Sequence, residues 1–287
     1  MTVPREKPRH AVVVSLYEAR SFEPLARLFE SMACYDAGLS YQLVLVVNRT
    51  SSTPLDLPFY PEMQVLERDN TGMNIGAWDH GWRESVDFDA FLFLQDECLI
   101  QRDNWLLAFD KAASQGAALI GESLSPGWDR PWPALRATHG KTLLREHQID
   151  NAPANRVDVY LDVMKKAGID PGPGGRHLRS LVWFARREWL TRIDGFPIGA
   201  DFGQCIGAEI AVSKAIEAAG GVVAQVADKP FSFIRHTEWH QHTENGPFIH
   251  GPAPDRVRQE PWTVRFRRVL RRLLNPAWQR LRSLRKP

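Results

Sequence analysis

AFLFLQDE, residues 90–97, is the stretch on which the fold turns. Its unbroken apolar run suits a strand buried on both faces, as in a parallel sheet covered by helices, better than a half-solvated antiparallel strand. The run stops abruptly at Gln95, Asp96 and Glu97, so this strand ends in hard oxygen donors. Upstream, residues 10–16 (HAVVVSL) and 43–47 (LVLVV) read as two more buried strands, and 63–66 as a shorter one. Between the first two, Ser21 can cap a helix whose Leu25, Leu28, Phe29 and Met32 recur at helical spacing. Before AFLFL, the glycine-spaced DNTGMNIGAWDHGW (69–82) runs into a helix near 75–85. Strand and helix alternate, which is the pattern of an α/β protein with a mostly parallel central sheet.

Downstream the periodicity weakens. Residues 123–156, with Pro126, Pro131, Pro133, Pro153, Trp128 and Trp132, read as loop with short helical pieces. Residues 157–167 suit a helix broken by GIDPGPGG (168–175). Residues 181–185 suit a strand, and 206–219 a helix stopped by Gly220 and Gly221. Residues 222–226 and 231–234 are further short strands. No repeat or low-complexity linker divides the chain.

The 287 residues carry a net charge of +2, with 44% apolar and 24% charged residues, so a substantial core is expected and long disorder is not. That charge is a sum of unlike parts. Residues 256–287 hold 11 Lys/Arg against one acid, Glu260, which leaves 25 bases against 33 acids in residues 1–255. The expected organisation is one body, 1–255, followed by a basic tail, 256–287. Three scattered cysteines make neither a disulfide framework nor a zinc pattern and favour a reducing compartment. No apolar run approaches a membrane span, and MTVPREKPRH lacks the apolar stretch of a signal peptide, so a cytoplasmic location is expected. There is no GxxxxGK[ST], GxSxG or CxxC, which argues against P-loop NTPases, α/β-hydrolases and thioredoxin-like enzymes.

In an open parallel sheet, ligands bind beyond the carboxyl ends of the strands. The polar residues there are Ser15, Tyr17 and Glu18, then Asn48 through Ser52, then Asp69 and Asn70, then Gln95, Asp96 and Glu97. Adjacent carboxylates such as Asp96 and Glu97 suit Mg²⁺ or Mn²⁺ shared with substrate phosphates. The plain alternative is a solvated turn.

The order of strand, YE loop, LVLVVN, DNTGxxxGAWxxGW and FLFLQDE resembles the GT-A fold of nucleotide-sugar glycosyltransferases. It is nearest the inverting type-two group and bacterial proteins of rhamnan and lipopolysaccharide synthesis. The resemblance covers residues 10–110 well and 180–242 more loosely. It implies a nucleoside-diphosphate sugar donor bound by a half at 10–110, and a glycan or lipid-linked acceptor bound by a half at 111–255. Tyr17 and Glu18 would border the base beside Ser15, and Asn48 stands where the family usually carries aspartate. Asn70 and Gly72 match residues that let the chain approach the nucleotide, and Asn74 stands where some relatives have aspartate. The metal motif reads Gln95-Asp96-Glu97, with Gln95 in place of the first acid. Glu97 becomes the direct metal ligand, and Asp96 faces the ribose or the metal. Downstream, DGF (194–196), then Gly207-Ala208-Glu209 and a helix to Ala219-Gly220, match an acceptor-side turn and the family's catalytic acid, which puts Glu209 in the role of general base. A glutamate of a helix's first turn, favoured by the helix dipole, is the alternative. His236, after PFSFIR, matches a histidine facing the metal or diphosphate. Read as zinc ligands instead, His236, His240 and His242, with His250 beyond, find no partner of zinc spacing. The GPGG loop with Arg176 and His177 could close over a pyrophosphate, and Trp128, Trp132 and Trp183 could stack on sugars. Replacement of the usual acids by Gln95 and Asn48 leaves a second reading, a non-catalytic nucleotide- or glycan-binding protein of the same fold.

In the tail, Phe266, Val269, Leu270, Leu273 and Leu274 form one helical stripe and Arg265, Arg267, Arg268, Arg271 and Arg272 fill the other faces. Trp278, Leu281 and Leu284 follow Pro276. This is the composition of a helix lying in an anionic membrane surface, here the inner face of the plasma membrane. Docking of the stripe on protein is the rival. Nucleic acid is not expected, because the stripe would be wasted and the body is acidic.

Overall fold

The computed structural model describes residues 9–139, 143–144 and 154–237, all within one compact unit, residues 1–240. In chain order the elements begin with β1 (His10–Tyr17), α1 (Glu23–Cys34), β2 (Gln42–Arg49), β3 (Gln64–Asp69), α2 (Met73–Glu84) and β4 (Ala90–Gln95). They continue with β5 (Cys98–Ile100), α3 (Trp105–Ser114), β6 (Ala117–Gly121), α4 (Trp132–His139), β7 (Leu143–Leu144), β8 (Ala154–Asn155) and α5 (Arg156–Lys166). The last are β9 (Val182–Arg186), α6 (Arg187–Arg192), α7 (Phe202–Ala218), β10 (Val222–Gln225) and β11 (Ile234–His236).

Seven strands form one sheet in the order β10-β6-β9-β4-β1-β2-β3. All neighbours run parallel except β9, which is antiparallel to both β4 and β6. The apolar runs follow from this placement. Val12, Val14, Leu43, Leu45, Leu92 and Leu94 face α1 and α3 on one side. Their alternates Val13, Val44, Val46, Phe91 and Phe93 face α2 and α7 on the other, as a strand's period of two requires. Helix α2 lies close to β1 and β2 because Gly81 has no side chain: a Cβ there would sit 2.5 Å from Val13 Cγ1 and 3.0 Å from Val46 Cγ2. Trp78, fully buried, fastens the same helix to β4 by donating Nε1–H to the Leu94 carbonyl at 3.0 Å. Helix α7 is buried nearly all round, because it lies between the sheet and α5, and Gly207 lets it approach Val163 and Tyr160.

Several expectations change in detail. The helix after β1 has Phe22 as its N-cap residue, and Ser21 Oγ accepts from the Glu23 amide one position further back than a cap. Helix α7 starts at Phe202, capped by Asp201 accepting from the Gln204 amide, so Glu209 lies two turns inside it rather than in the first turn. The last strand covers 234–236 rather than 231–234, since Phe231 sits in a turn with φ +55°. Elements β5, α3 and β6 fill residues 98–121, where the sequence reading places none. The tail, 256–287, and His240, His242 and His250 lie outside the described residues. Among the described residues no helix is long and apolar enough to cross a membrane.

Candidate active site

The sheet changes direction of winding between β1 and β4: the chain steps outward to β2 and β3 on one side and reaches β9 and β6 on the other. A crevice at such a switch point is where open α/β sheets hold ligands. In register, Ser15 lies beside Gln95 and Tyr17 beside Asn48, so the ends of β1, β2 and β4 meet there.

On the β2 side the polar groups are used by the fold itself. Glu18 accepts from the Thr50 and Ser51 amides and the Thr50 hydroxyl, and pairs with Arg49 at 2.7 Å. The Thr50 hydroxyl leads in holding its carboxyl down at about 2, against the opposing effect of burial. Asn48, buried, donates to the Met73 carbonyl at 3.1 Å and accepts from Arg68 at 2.8 Å, and Arg68 also donates to the Thr71 carbonyl at 2.8 Å. These bonds shape the loop into α2. Gly72 takes φ +74° at its N-cap, and a Cβ there would meet Ile198 Cγ2 at 2.6 Å, so the loop is closely covered by the 197–201 segment. Ser15 turns inward, donating to the Leu94 carbonyl at 3.3 Å. Tyr17 and Asn70 are half-buried along the rim.

On the β4 side the balance differs. Asp96 is 7% exposed, and its Oδ2 is buried without a hydrogen-bond partner among the described residues. Burial first, and then the neighbouring Glu97, push its carboxyl up to about 6. Glu97 carries the complementary charge pattern. Its Oε2 lies 3.4 Å from His236 Nε2 and 3.5 Å from Arg20 Nη1. His236 leads in lowering its carboxyl against the effect of burial. The two-stranded pairing of β11 with β5 sets His236 opposite Cys98 and so beside the doublet.

A buried carboxylate oxygen without a partner, next to an ionised carboxylate, is a donor set for a hard cation. Among the described residues no three His, Cys, Asp or Glu side chains gather as metal ligands. Mg²⁺ and Mn²⁺ do not require three when one or two carboxylates share them with phosphate oxygens and water. Asp96 and Glu97 fit that role. His236 Nε2 faces Gln95 Oε1 at 3.2 Å as well as Glu97, so it meets the doublet as a hydrogen-bond donor.

Glu209 reaches the same place from the opposite half. Ser180 donates to its Oε2 from both the amide, 2.6 Å, and the hydroxyl, 2.5 Å. His177 Nε2 lies 3.4 Å from Oε1. Burial raises the carboxyl, but His177 and Ser180 outweigh it and the net shift is downward. The carbonyl of Ser180 in turn accepts from Asn74 at 3.0 Å and Gln95 at 2.6 Å. One residue thus joins the two halves of the site.

No motif marks Ser180 or Arg20 as site residues: Arg20 lies in the turn after β1 and Ser180 in the turn before β9. His177 differs from its expected place over a pyrophosphate. It is buried behind Glu209, with Nδ1 donating to the carbonyl of Gly175, a position where a Cβ would meet Leu135 Cδ1 at 2.5 Å. The three tryptophans serve the scaffold. Trp183 is fully buried, Trp132 donates to the Pro171 and Gly172 carbonyls, and Trp128 stacks on His139 at 5.0 Å.

Among solved structures, the chain is similar to the mannosyltransferase PcManGT from Pyrobaculum calidifontis in complex with GDP-Man and Mn²⁺. Identity is 14%, coverage is 78% of this chain and 56% of that one, and the TM-score is 0.47. It is also similar to S. aureus TarS residues 1–349 in complex with UDP-GlcNAc, at 15% identity, 85% and 61% coverage, and TM-score 0.41. The chain spans less than two thirds of the length of either. No family model matches the chain, and no curated protein matches it in sequence.

Proposed function

We propose that this chain is a glycosyltransferase that moves a sugar from a nucleoside-diphosphate donor to a glycan or lipid-linked acceptor with inversion. The observation that carries the reading is the meeting of two unlike carboxylate sites across Ser180. One is a doublet with an unpartnered buried oxygen at the β1/β4 switch point, and the other is a clamped, ionised Glu209. The half-buried Tyr17 and Asn70, on the rim of the loop that Glu18, Asn48 and Gly72 shape, receive the nucleotide. Asp96 and Glu97 would hold Mn²⁺ or Mg²⁺, which would offset charge on the departing diphosphate.

Glu209 takes the proton of the acceptor hydroxyl as that oxygen attacks the anomeric carbon from the face opposite the diphosphate. The new carbon–oxygen bond forms, the old one breaks, and its electron pair leaves with the diphosphate. Its lowered carboxyl keeps Glu209 ionised and ready to accept, and Ser180 removes the freedom that a glutamate's extra methylene gives over an aspartate. Arg20, beside Glu97, supplies a further positive charge at the diphosphate end.

The basic tail, 256–287, brings the enzyme to the anionic cytoplasmic face of the membrane, where a lipid-linked acceptor is met; deleting it should abolish liposome binding, and unchanged binding refutes this part. A screen of UDP-, GDP- and dTDP-sugars with Mn²⁺ or Mg²⁺ tests the whole reading. Slow donor hydrolysis should appear with one of them and disappear in Glu97→Ala and Glu209→Gln. Full activity in both variants would refute the assignment.

A further inference from the structure

Gln95 stands where the resembled family carries an acid, and its surroundings show what the amide does. Its Nε2 lies 2.6 Å from the Ser180 carbonyl. A carbonyl only accepts, so the nitrogen end of the amide must face it. Oε1 then faces His236 at 3.2 Å, which requires a proton on His236 Nε2. That same N–H also points at Glu97, 3.4 Å away. On the far side, the Ser180 amide and hydroxyl hold Glu209.

We propose that Gln95 is a positioning residue that braces the two halves of the site, fixing Ser180 and through it Glu209 relative to His236 and Glu97. The connection is continuous: Glu97 to His236, His236 to Gln95, Gln95 to Ser180, Ser180 to Glu209. Only a side chain with a donor at one end and an acceptor at the other closes it. A glutamate at position 95 would set a carboxylate oxygen against the Ser180 carbonyl oxygen at hydrogen-bond distance, where neither donates. The exchange of acid for amide is thus a change of role. It is the opposite of what loss of a metal ligand predicts, since a lost ligand is restored by returning the acid.

The kinetic and metal parts of the test rest on the glycosyltransferase reading; the thermal part does not. Full-length wild type, Gln95→Glu and Gln95→Ala are compared by metal-free thermal melting, by Mn²⁺ titration in the presence of UDP or GDP, and by donor turnover. A brace predicts that both variants lower Tm by about 3 °C or more. It predicts no gain in Mn²⁺ affinity for Gln95→Glu. It also predicts a kcat lowered roughly tenfold or more at nearly unchanged donor KM, because Glu209 is displaced while the donor rim is intact. Unchanged Tm in both variants, or a gain of about tenfold or more in Mn²⁺ affinity in Gln95→Glu, overturns the proposal. If Gln95→Glu does not fold, Gln95→Ala decides alone: a wild-type kcat and Tm overturn it. If wild type turns over no donor, the glycosyltransferase reading fails, and metal-free melting alone decides the role of Gln95: a wild-type Tm in both variants overturns the brace.

Discussion

Glu18 and Asp96 sit at the carboxyl ends of adjacent strands, both among the polar residues of one crevice, and the fold treats them in opposite ways. Glu18 receives two amides and a hydroxyl on Oε1, its Oε2 faces the Arg49 guanidinium as an ion pair at 2.7 Å, and its carboxyl is held down at about 2. Asp96 is nearly as enclosed but keeps an oxygen with no partner among the described residues, and its carboxyl is pushed up to about 6. Glu18, ion-paired through Oε2 and hydrogen-bonded through Oε1 to its own loop, braces that loop as a strut. A carboxylate left open in a buried place is waiting for a ligand, since an unpaired buried charge is otherwise costly. The comparison separates scaffold from site where the residue types alone do not.

The largest expected effect is on chemistry. Glu209→Gln keeps a similar shape but cannot take a proton, so transfer should fall by about 100- to 10,000-fold with donor binding retained. Next come the two contrasted carboxylates. Asp96→Asn should melt at or above the wild-type temperature, because it removes an uncompensated buried charge, yet lose cation-dependent nucleotide binding. Glu18→Gln should melt lower and keep that binding. Their shifts in Tm therefore have opposite signs. If Glu18→Gln is neutral in melting, the strut reading of that side fails.

A third carboxylate extends the contrast to pH. Glu122, 1% exposed at the end of β6, accepts from the amides of Ser232, Phe233 and Ile234 at 2.6–3.0 Å, and so sets the course of β11 toward His236. Burial pushes its carboxyl up to about 7, against those three amides. Folding thus favours its protonated form. Its contribution to stability is fully present below the unfolded value near 4.5 and is lost as pH rises toward 7. Glu18 runs the other way, contributing above 4.5 and losing its contribution as pH falls toward 2. Stability measured from pH 4.5 to 7.5 should decline less steeply in Glu122→Gln than in wild type. The smallest effect concerns packing alone: Gly81→Ala should cost about 1–3 kcal/mol of stability, since its Cβ would enter the space of Val13 and Val46.

The sheet was legible because its strands are buried on both faces. Runs such as VVV at 12–14 and FLFL at 91–94 announce themselves by composition, and their polar ends mark the crevice. Residues 98–121 were not legible. Cys98–Ile100 is a three-residue strand, too short for any period, and Ala117–Gly121 is rich in alanine and glycine rather than β-branched residues. Within the site, the sequence placed Asp96, Glu97, His236 and Glu209 as candidates, and the fold brings all four to one end of the sheet. It could not rank them, because rank depends on partners distant in sequence. The bond from Ser180 to Glu209 spans 29 positions, and that between His236 and Gln95 spans 141. Ser180 acts through its backbone carbonyl and amide as much as its hydroxyl, and backbone groups carry no sequence signal.

The most direct test is calorimetric titration of wild type, Asp96→Asn and Glu18→Gln with UDP, GDP and dTDP, each with and without Mn²⁺. The account predicts one nucleotide that binds wild type more tightly with Mn²⁺, a gain lost in Asp96→Asn and kept in Glu18→Gln. Absence of nucleotide binding to wild type, or a Mn²⁺ gain that survives in Asp96→Asn, would contradict it.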